Sequence, residues 1–286
     1  MNSVIKNKLK RKRNTMIYHM VMIIISLIMI YPVLWMAFSS FEITTDIMKY
    51  QRELLPHTWT IDNYIRGWKG FAGITFTTFF KNSLYVTVVS TLGCIITSTL
   101  AAYAFSRLRF PFKKFLFAVM MLTMMLPAQV LMVPQYIMMN KFGWVGEFAA
   151  VIIPAFAGGG FYIYLINQFI KTVPKDLDEA AFIDGCTKYG IFFKIILPLM
   201  KPSITTATIF AFYWKWEDFM GPLLYLNKPK KYLVPLAIKV FSDPSQLSDW
   251  GALFAMATLS LVPVLVIFFL LQKYIVEGVA TTGIKG

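Results

Sequence analysis

Long apolar segments, separated by shorter polar ones, dominate the pattern of this chain. A helix needs about 20 mostly apolar residues to cross a bilayer. Six segments reach that length, at about residues 15–38, 81–105, 114–134, 148–170, 203–226 and 251–274. No remaining segment could form a soluble catalytic domain. The pattern therefore predicts an all-α, polytopic membrane protein with six transmembrane helices in a single membrane domain, residues 1–286.

The composition supports this class. Hydrophobic residues make up 57% of the chain and charged residues 15%, whereas soluble domains carry about 25% charged residues. The net charge is +14. Lys and Arg accumulate in the cytoplasmic loops of membrane proteins, which accounts for this charge, so we expect no nucleic-acid partner. The two Cys and two His are isolated in the sequence, which predicts neither a disulfide framework nor a metal site.

The basic residues predict the orientation. Six Lys or Arg residues lie between Lys6 and Arg13, directly before the first apolar segment. Such clusters stay on the cytoplasmic side, and the apolar segment is too long for a cleaved signal peptide. With six spans, both termini are then cytoplasmic. The connection at residues 171–202 is the longest on that side.

This inner connection has the chemistry of a short capped helix. Acidic residues Asp176, Asp178 and Glu179 lie near its start, where the helix dipole favours negative charge. Gly185 suits a left-handed residue after its end. We expect one helix at about residues 175–184 and a second, capped by Thr187, at about 188–196. The residues leave two interpretations open: a plain connecting loop, or a small helix shaped for a groove on another protein.

The segment "EAAFIDGCTKYGIFFKIILPLMKP" resembles the EAA motif of ABC-importer permeases. The matching residues are Glu179, Ala180, Ala181, Gly185, Ile195, Leu197 and Pro198. The six-span layout and the C-terminal "GVATTGIKG" are similar to the maltose-type, carbohydrate-importer branch of that family, and the resemblance covers essentially the whole chain.

The resemblance implies a coupling helix that docks in a cleft of a cytoplasmic ATPase subunit. The residues expected to couple are Glu179, Ala180, Ala181, Phe182, Asp184 and Gly185. The implied partners are a second, homologous permease, two ATPase subunits, an extracytoplasmic sugar-binding protein and membrane lipid, in a bacterial cell membrane. The chain has no G-x-x-x-x-G-K-[ST] loop. It is therefore expected to be a transport subunit without a cofactor, not an enzyme, while its partners bind ATP and Mg²⁺.

The fifth apolar segment contains three charges. Each charge at the centre of a membrane helix costs about 2.5–3.5 kcal/mol, so these side chains need a partner or water. Lys215 and Asp218 stand at i, i+3 and can pair. One interpretation is a structural ion pair. The other is a wet substrate path, whose predicted residues are Tyr213, Trp214, Lys215, Trp216, Glu217 and Asp218.

A detail of this segment bears on the substrate. Sugar-importer permeases often carry "W-N-[DE]-F" here, whereas this chain has Glu217 after Trp216. The departure resembles a subgroup that imports acidic oligosaccharides, such as pectin or alginate fragments. The basic loop Asn227 to Pro235 would suit an anionic sugar, and equally an acidic face of a binding protein.

The last outer loop, "FSDPSQLSDWG", has turn chemistry. In the family resembled, this loop contacts the binding protein, which implies contact roles for Asp243, Pro244, Ser245 and Gln246. A plain surface hairpin is the alternative.

Two other classes of membrane protein remain alternatives. A secondary transporter of a small solute would show inverted repeats and broken midplane helices, and no clear repeat is visible. A membrane enzyme would need a catalytic constellation near the membrane face, which two scattered His do not supply.

Overall fold

The computed structural model describes residues 2–242 and 249–283, with side chains for residues 14–242 and 249–273. Over these ranges the chain is helical and contains no strand, only two isolated bridges, Glu42 with Trp59 and Phe71 with Ile74. The all-α prediction is confirmed.

The chain divides into two compact units. Unit 1 comprises Met1–Lys69 and Phe241–Leu259, and unit 2 comprises Gly70–Val240 and Ser260–Gly286. The helices of unit 1 are α1 Asn2–Ser39, α2 Thr44–Ile47 and α3 Asp62–Lys69. Those of unit 2 are α4 Phe76–Arg107, α5 Lys113–Thr123, α6 Ala128–Lys141, α7 Ala149–Ile152, α8 Gly160–Thr172, α9 Asp176–Ile183, α10 Lys188–Ile191, α11 Leu197–Leu199, α12 Lys201–Trp216, α13 Met220–Tyr225 and α14 Val234–Val240. The last helix, α15 Trp250–Gly283, contributes residues to both units.

Four helical segments of the described chain are long and apolar enough to cross a membrane: Asn14–Ser39, Phe76–Arg107, Ala149–Thr172 and Trp250–Lys273. Two bent helix pairs also qualify if each pair forms one span, which brings the number to six. The pairs are α5 with α6, bent by 102°, and Lys188–Leu199 with α12, bent by 74°.

The third predicted span is broken in its middle. The prediction placed one helix at residues 114–134, but α5 ends at Thr123 and α6 begins at Ala128. Pro127 precedes α6 in an extended conformation, and proline disfavours helical geometry in the residue before it. The break therefore follows from the backbone restrictions of this proline.

The fifth predicted span is shorter than the range 203–226. Helix α12 ends at Trp216, and α13 begins after a gap of three residues. Asp218 lies in this gap and accepts a hydrogen bond from the Gly221 N–H at 3.0 Å. A side-chain acceptor near a helix start satisfies a backbone donor that lacks an intrahelical partner, so Asp218 stabilises the break.

A third irregularity interrupts the fourth apolar segment. A 3₁₀ helix at Ile153–Ala157 leads into Gly158, whose φ of +79° suits glycine and few other residues. The N–H of Gly159 donates to Ser98 Oγ at 3.1 Å. Irregular backbone within a membrane must find such partners inside the protein, and α4 supplies one here.

Helix α4 is the central helix of unit 2 and packs against α8, α12 and the 3₁₀ helix. Its buried face consists largely of small and hydroxyl-bearing residues: Ser83, Thr87, Ser90, Thr91, Gly93, Cys94, Ser98, Thr99 and Ala102. Small residues allow the close backbone approach that holds membrane helices together. The core built on this face also includes side chains from α8, α9 and α10, so α9 is joined to the spanning helices.

Unit 1 has its own polar framework. Asn63 is fully buried, and its Nδ2 donates to the carbonyls of Ser40 and Glu42 at 2.9 and 2.6 Å. Arg66 forms an ion pair with Asp249, with 2.9 Å between Nε and Oδ2. Burial opposes ionisation of Asp249, but hydrogen bonds from Arg66 and the Ala252 N–H lower its pKa overall. The pair joins two segments that are distant in sequence.

Candidate functional site

The first candidate site is α9, which covers the predicted inner helix. It runs Asp176–Ile183, one residue shorter at each end than the predicted range. Gly185 follows it with φ +82°, and Thr187 Oγ1 accepts a hydrogen bond from the Gly190 N–H at 3.2 Å at the start of α10. Both predicted caps are confirmed. After α10 the chain continues as a π-helical turn, Phe192–Ile196, in place of the regular helix that was predicted.

A buried ion pair fixes α9 to the end of α4. Arg107 Nε lies 2.9 Å from Asp178 Oδ2, and the Arg107 side chain is only 5% exposed. A second guanidinium nitrogen, Nη2, donates to the Val173 carbonyl at 2.7 Å. Burial raises the pKa of Asp178, and the nearby Arg107 charge opposes that rise. The pair joins α9 directly to the end of a spanning helix.

The predicted coupling residues divide between two faces of α9. Ala181 is 6% exposed and belongs to the hydrophobic core, where it packs with α10 and the spanning helices. Ala180, Glu179 and Asp184 are exposed. Phe182 is also exposed, at 67%. The motif therefore supplies both an inward anchor and an outward surface.

The outward surface of α9 is apolar at its tip. Ile183 is 85% exposed and adjoins Phe182. Both line a cavity of about 590 Å³ together with Glu179, Arg107 and Arg109. Large apolar side chains next to charged groups, exposed on a short helix, are typical of a protein-docking surface.

The second candidate site is a small cavity within the helices of unit 2. It has a volume of about 180 Å³ and is lined by residues of α4, α8 and α12, including Ser90, Thr91, Tyr162, Trp214 and Lys215. Aromatic rings beside hydroxyls and an ammonium group suit a sugar, which has apolar faces and polar edges. Ligand pockets usually measure about 300–1,000 Å³, so this cavity is small for a complete oligosaccharide site.

Two of the six predicted path residues line this cavity, Trp214 and Lys215. The Trp214 ring contacts Phe161 and Tyr162, with ring centres 5.2 and 5.9 Å apart. Lys215 Nζ also forms an ion pair with Asp218 Oδ2 at 3.0 Å, as the i, i+3 spacing predicted.

The other path residues lie elsewhere. Trp216 is buried, donates from Nε1 to the Ser260 carbonyl at 3.0 Å and stacks on Phe212. Its contacts are those of a structural residue. The side chains of Tyr213 and Glu217 are exposed on the surface of the chain. The six residues thus do not form one contiguous site.

The predicted binding-protein contacts Asp243, Pro244, Ser245 and Gln246 lie outside the described residues. The neighbouring basic loop is described, and two of its cations are paired. Glu147 accepts from Lys228 at 3.2 Å and also pairs with Lys231. Hydrogen bonds from Lys231 and then Lys228 lower the pKa of Glu147. One carboxylate therefore offsets one of the loop's three lysine charges.

Sequence reasoning missed three contributors to these sites. Arg107 was not among the predicted site residues, although its position at the end of a span was a signal. Ile183 lies within the quoted motif, next to Phe182, but was not among the residues expected to couple. The cavity-lining hydroxyls of α4 gave no local signal, because only packing shows which face of an apolar helix is buried. Among the side chains that the structure describes, no group of three His, Cys, Asp or Glu could hold a metal ion.

Comparison with known proteins identifies the family. Residues 93–281 match the family described as "Binding-protein-dependent transport system inner membrane component". The "Probable ABC transporter permease protein YurM" of Bacillus subtilis is 35% identical, over 90% of this chain and 84% of that relative. The "Arabinooligosaccharides transport system permease protein AraQ" of Halalkalibacterium halodurans is 32% identical, over 92% of this chain and 93% of that protein.

A solved structure confirms the fold. The chain aligns with a subunit in the "Crystal structure of a bacterial ABC transporter involved in the import of the acidic polysaccharide alginate", with a TM-score of 0.80 and 21% identity. The alignment covers 92% of this chain and 97% of that subunit. The chain therefore belongs to the family of binding-protein-dependent transport system inner membrane components, a family of membrane transport subunits and not of enzymes.

Proposed function

We propose that this protein forms half of the translocation path of an ATP-driven oligosaccharide importer, with α9 as the coupling helix. The main support for the proposal is that α9 is attached to a spanning helix on one side and exposes apolar side chains on the other. A buried ion pair joins the helix to α4 at 2.9 Å, while Phe182 and Ile183 project from it with 67% and 85% exposure. A lever needs this combination of a rigid attachment and a contact surface.

The proposed partners follow from that build. The exposed apolar tip would insert in a cleft of an ATPase subunit, and Glu179 and Asp184 would meet basic groups around it. A second permease subunit would complete the cavity beside Trp214, since about 180 Å³ in one chain is too small for an oligosaccharide. The ATPases would bind ATP and Mg²⁺. The alternative of a secondary transporter is set aside, because the family is binding-protein-dependent.

The substrate class rests on the relatives. Their names specify arabinooligosaccharides, galactooligosaccharides and diacetylchitobiose, and one specifies the anionic sulfoquinovosyl glycerol. A glycoside is the element common to these names, and three of the four substrates are oligosaccharides. Within this chain Lys215 is already paired with Asp218, and Glu147 offsets one of the three loop lysine charges. These pairs weaken the electrostatic argument for an acidic sugar, so neutral oligosaccharides belong in the test beside uronates.

The coupling role is tested by Glu179→Lys in the assembled importer. The change reverses an exposed charge beside Phe182 and leaves the Arg107–Asp178 pair intact. We expect normal amounts of the chain in the membrane, loss of ATPase subunits on purification, and loss of uptake. The matched control is Asp62→Lys, an exposed acid at the start of α3. Normal uptake and normal ATPase retention by Glu179→Lys would refute the coupling role.

The substrate class is tested by uptake into cells that depend on this importer. Labelled neutral and uronate oligosaccharides are supplied, together with a monosaccharide control. We expect uptake of an oligosaccharide that is competed by its unlabelled form and abolished in cells lacking this chain. Uptake that persists without the chain, or that is restricted to a non-carbohydrate solute, would contradict the proposal.

A further inference from the structure

A third cavity in unit 2, distinct from the two candidate sites, is strongly basic. It has a volume of about 500 Å³ and lies between the end of α4, the start of α5 and the end of α8. Five cationic side chains line it: Arg107, Lys113, Lys114, Lys171 and Lys175. We call it the basic cavity.

Most of this charge is not compensated by the protein. Arg107 is paired with Asp178. In the described part of the chain, none of the four lysines forms an ion pair with a carboxylate. Lys113 Nζ donates to the Leu108 carbonyl at 2.8 Å, and Lys171 Nζ lies 5.6 Å from the centre of the Phe117 ring. Both interactions hold an ammonium group in place without neutralising it, so the basic cavity favours an anion.

The basic cavity also has an apolar side, which indicates what kind of anion it takes. Phe105 and Phe117 contribute to its lining, with ring centres 5.4 Å apart. A purely ionic ligand gains nothing from such rings, whereas a charged group attached to hydrocarbon gains from both parts of the lining.

The surface beside the cavity continues this apolar character. Helix α5 begins at Lys113, one of the cavity lysines, and buries none of its residues. Phe115, Leu116 and Leu122 are 64%, 46% and 61% exposed along it. Acyl chains that leave the basic cavity would therefore have an apolar helix surface to follow.

The position of the basic cavity matches the headgroup layer. Its lysines lie at the ends of apolar spanning helices, on the side that the Lys and Arg distribution predicts to be cytoplasmic. Basic pockets between transmembrane helices at this level bind acidic lipid headgroups. We propose that the basic cavity binds the headgroup of an anionic phospholipid, with its acyl chains against α5.

The test uses the purified importer complex containing this chain, reconstituted with phosphatidylcholine alone or with added phosphatidylglycerol. Native mass spectrometry measures the phospholipid that stays bound. The variant Lys114→Gln/Lys171→Gln removes two cavity charges, and Lys194→Gln/Lys201→Gln removes two exposed charges that do not line the cavity. Lys114→Arg/Lys171→Arg keeps the charge and checks that a loss does not come from misfolding.

We expect retained phosphatidylglycerol, no retained phosphatidylcholine, and no effect of the control pair. Two lysines near a membrane surface contribute roughly 30-fold in affinity for an acidic lipid, so the cavity variant should bind phosphatidylglycerol roughly 30-fold more weakly, and the Arg variant should retain it. Equal retention by the cavity and control variants would overturn the proposal. It would also be overturned if inorganic phosphate displaced the lipid, or if the cavity variant lost the ATPase subunits with its lipid retention unchanged.

Discussion

Two ion pairs of unit 2 differ in what they connect. Arg107 and Asp178 are 71 residues apart in sequence, and their pair joins α9 to α4. Lys215 and Asp218 are three residues apart, and their pair joins the end of α12 to the short gap that follows it. The Arg107 and Asp178 side chains are 5% and 20% exposed, and those of Lys215 and Asp218 are 19% and 26% exposed.

The difference separates a pair that links two helices from a pair that neutralises a charge locally. Removing one partner of a buried pair leaves an uncompensated charge in a poorly solvating place. The Lys215 side chain is more exposed than that of Arg107, and Asp218 keeps a second partner in the Gly221 N–H. We therefore infer that the α9 end of the fold is rigidly anchored, while the α12 end neutralises itself and tolerates change.

Among the variants that test this difference, Arg107→Ala is expected to have the largest effect. It leaves Asp178 without its cation and the Val173 carbonyl without its donor. Removal of one member of a buried pair costs about 3–5 kcal/mol, so we expect a clearly lowered Tm of the purified complex and loss of uptake. The control is Arg52→Ala, which removes an exposed cation that lines neither the cavity at α9 nor the basic cavity. A Tm equal to that of the control would show that the anchor is unimportant.

The variant Gly185→Ala tests the backbone conformation of the residue that follows α9. Gly185 has φ +82°, and a methyl group there would meet no atom within 4 Å. Only the backbone conformation is then penalised, by about 1–2 kcal/mol. We expect reduced uptake with a smaller loss of Tm than Arg107→Ala causes. Gly190→Ala, in ordinary helical geometry and with only ordinary contacts, should behave like wild type, and a Gly190→Ala defect as large as that of Gly185→Ala would contradict this account.

Lys215→Ala probes the locally neutralised end. A partly exposed pair contributes about 1 kcal/mol or less, so the Tm should fall far less than in Arg107→Ala. Because Lys215 also lines the cavity beside Trp214, we expect a larger effect on uptake than on stability. Asp218→Asn, which breaks the same pair outside that cavity lining, separates the two roles. Equal uptake defects in both variants would place the effect in the pair and not in the path.

The smallest expected effect is a pH dependence with opposite signs at two carboxylates. The pKa of Asp178 is raised, so its contribution to stability is full below the ordinary aspartate value of about 3.9 and is lost as the pH rises through the raised pKa. The pKa of Glu147 is lowered, so its contribution is present above the ordinary glutamate value of about 4.3 and is lost as the pH falls.

Tm measurements from a pH below the ordinary carboxylate pKa values up to neutral pH test these signs. The Tm of wild type minus that of Asp178→Asn should fall as the pH rises. The Tm of wild type minus that of Glu147→Gln should rise over its own, lower range. A rising difference for Asp178→Asn would mean that its pairing with Arg107 outweighs its burial.

Local chemistry predicted the local features of both regions. The ends of α9, the left-handed Gly185, the Thr187 cap and the Lys215–Asp218 pair all depend on residues within a few positions of each other. The apolar segments that form the spans were also visible from the sequence, because each is a continuous stretch of the chain. Short-range sterics and i, i+3 geometry are sufficient for such features.

The remaining features depend on packing between distant segments. The Arg107–Asp178 pair, the inward position of Ala181 and the buried position of Trp216 were not visible, because apolar periodicity does not show which neighbour a helix face meets. The breaks near Pro127 and Gly158 had a sequence signal in proline and glycine. Membrane helices often tolerate both residues without breaking, so the signal alone was insufficient.

Photo-cross-linking from the tip of α9 tests the central claim most directly. A photoreactive phenylalanine analogue replaces Ile183, which is 85% exposed, or Phe142, which is 56% exposed on the connection after α6, in the assembled importer. We predict an ATPase adduct from position 183 and none from position 142. If position 183 gives no ATPase adduct, or if both positions give equal amounts, α9 is not the contact that couples this chain to its energy source.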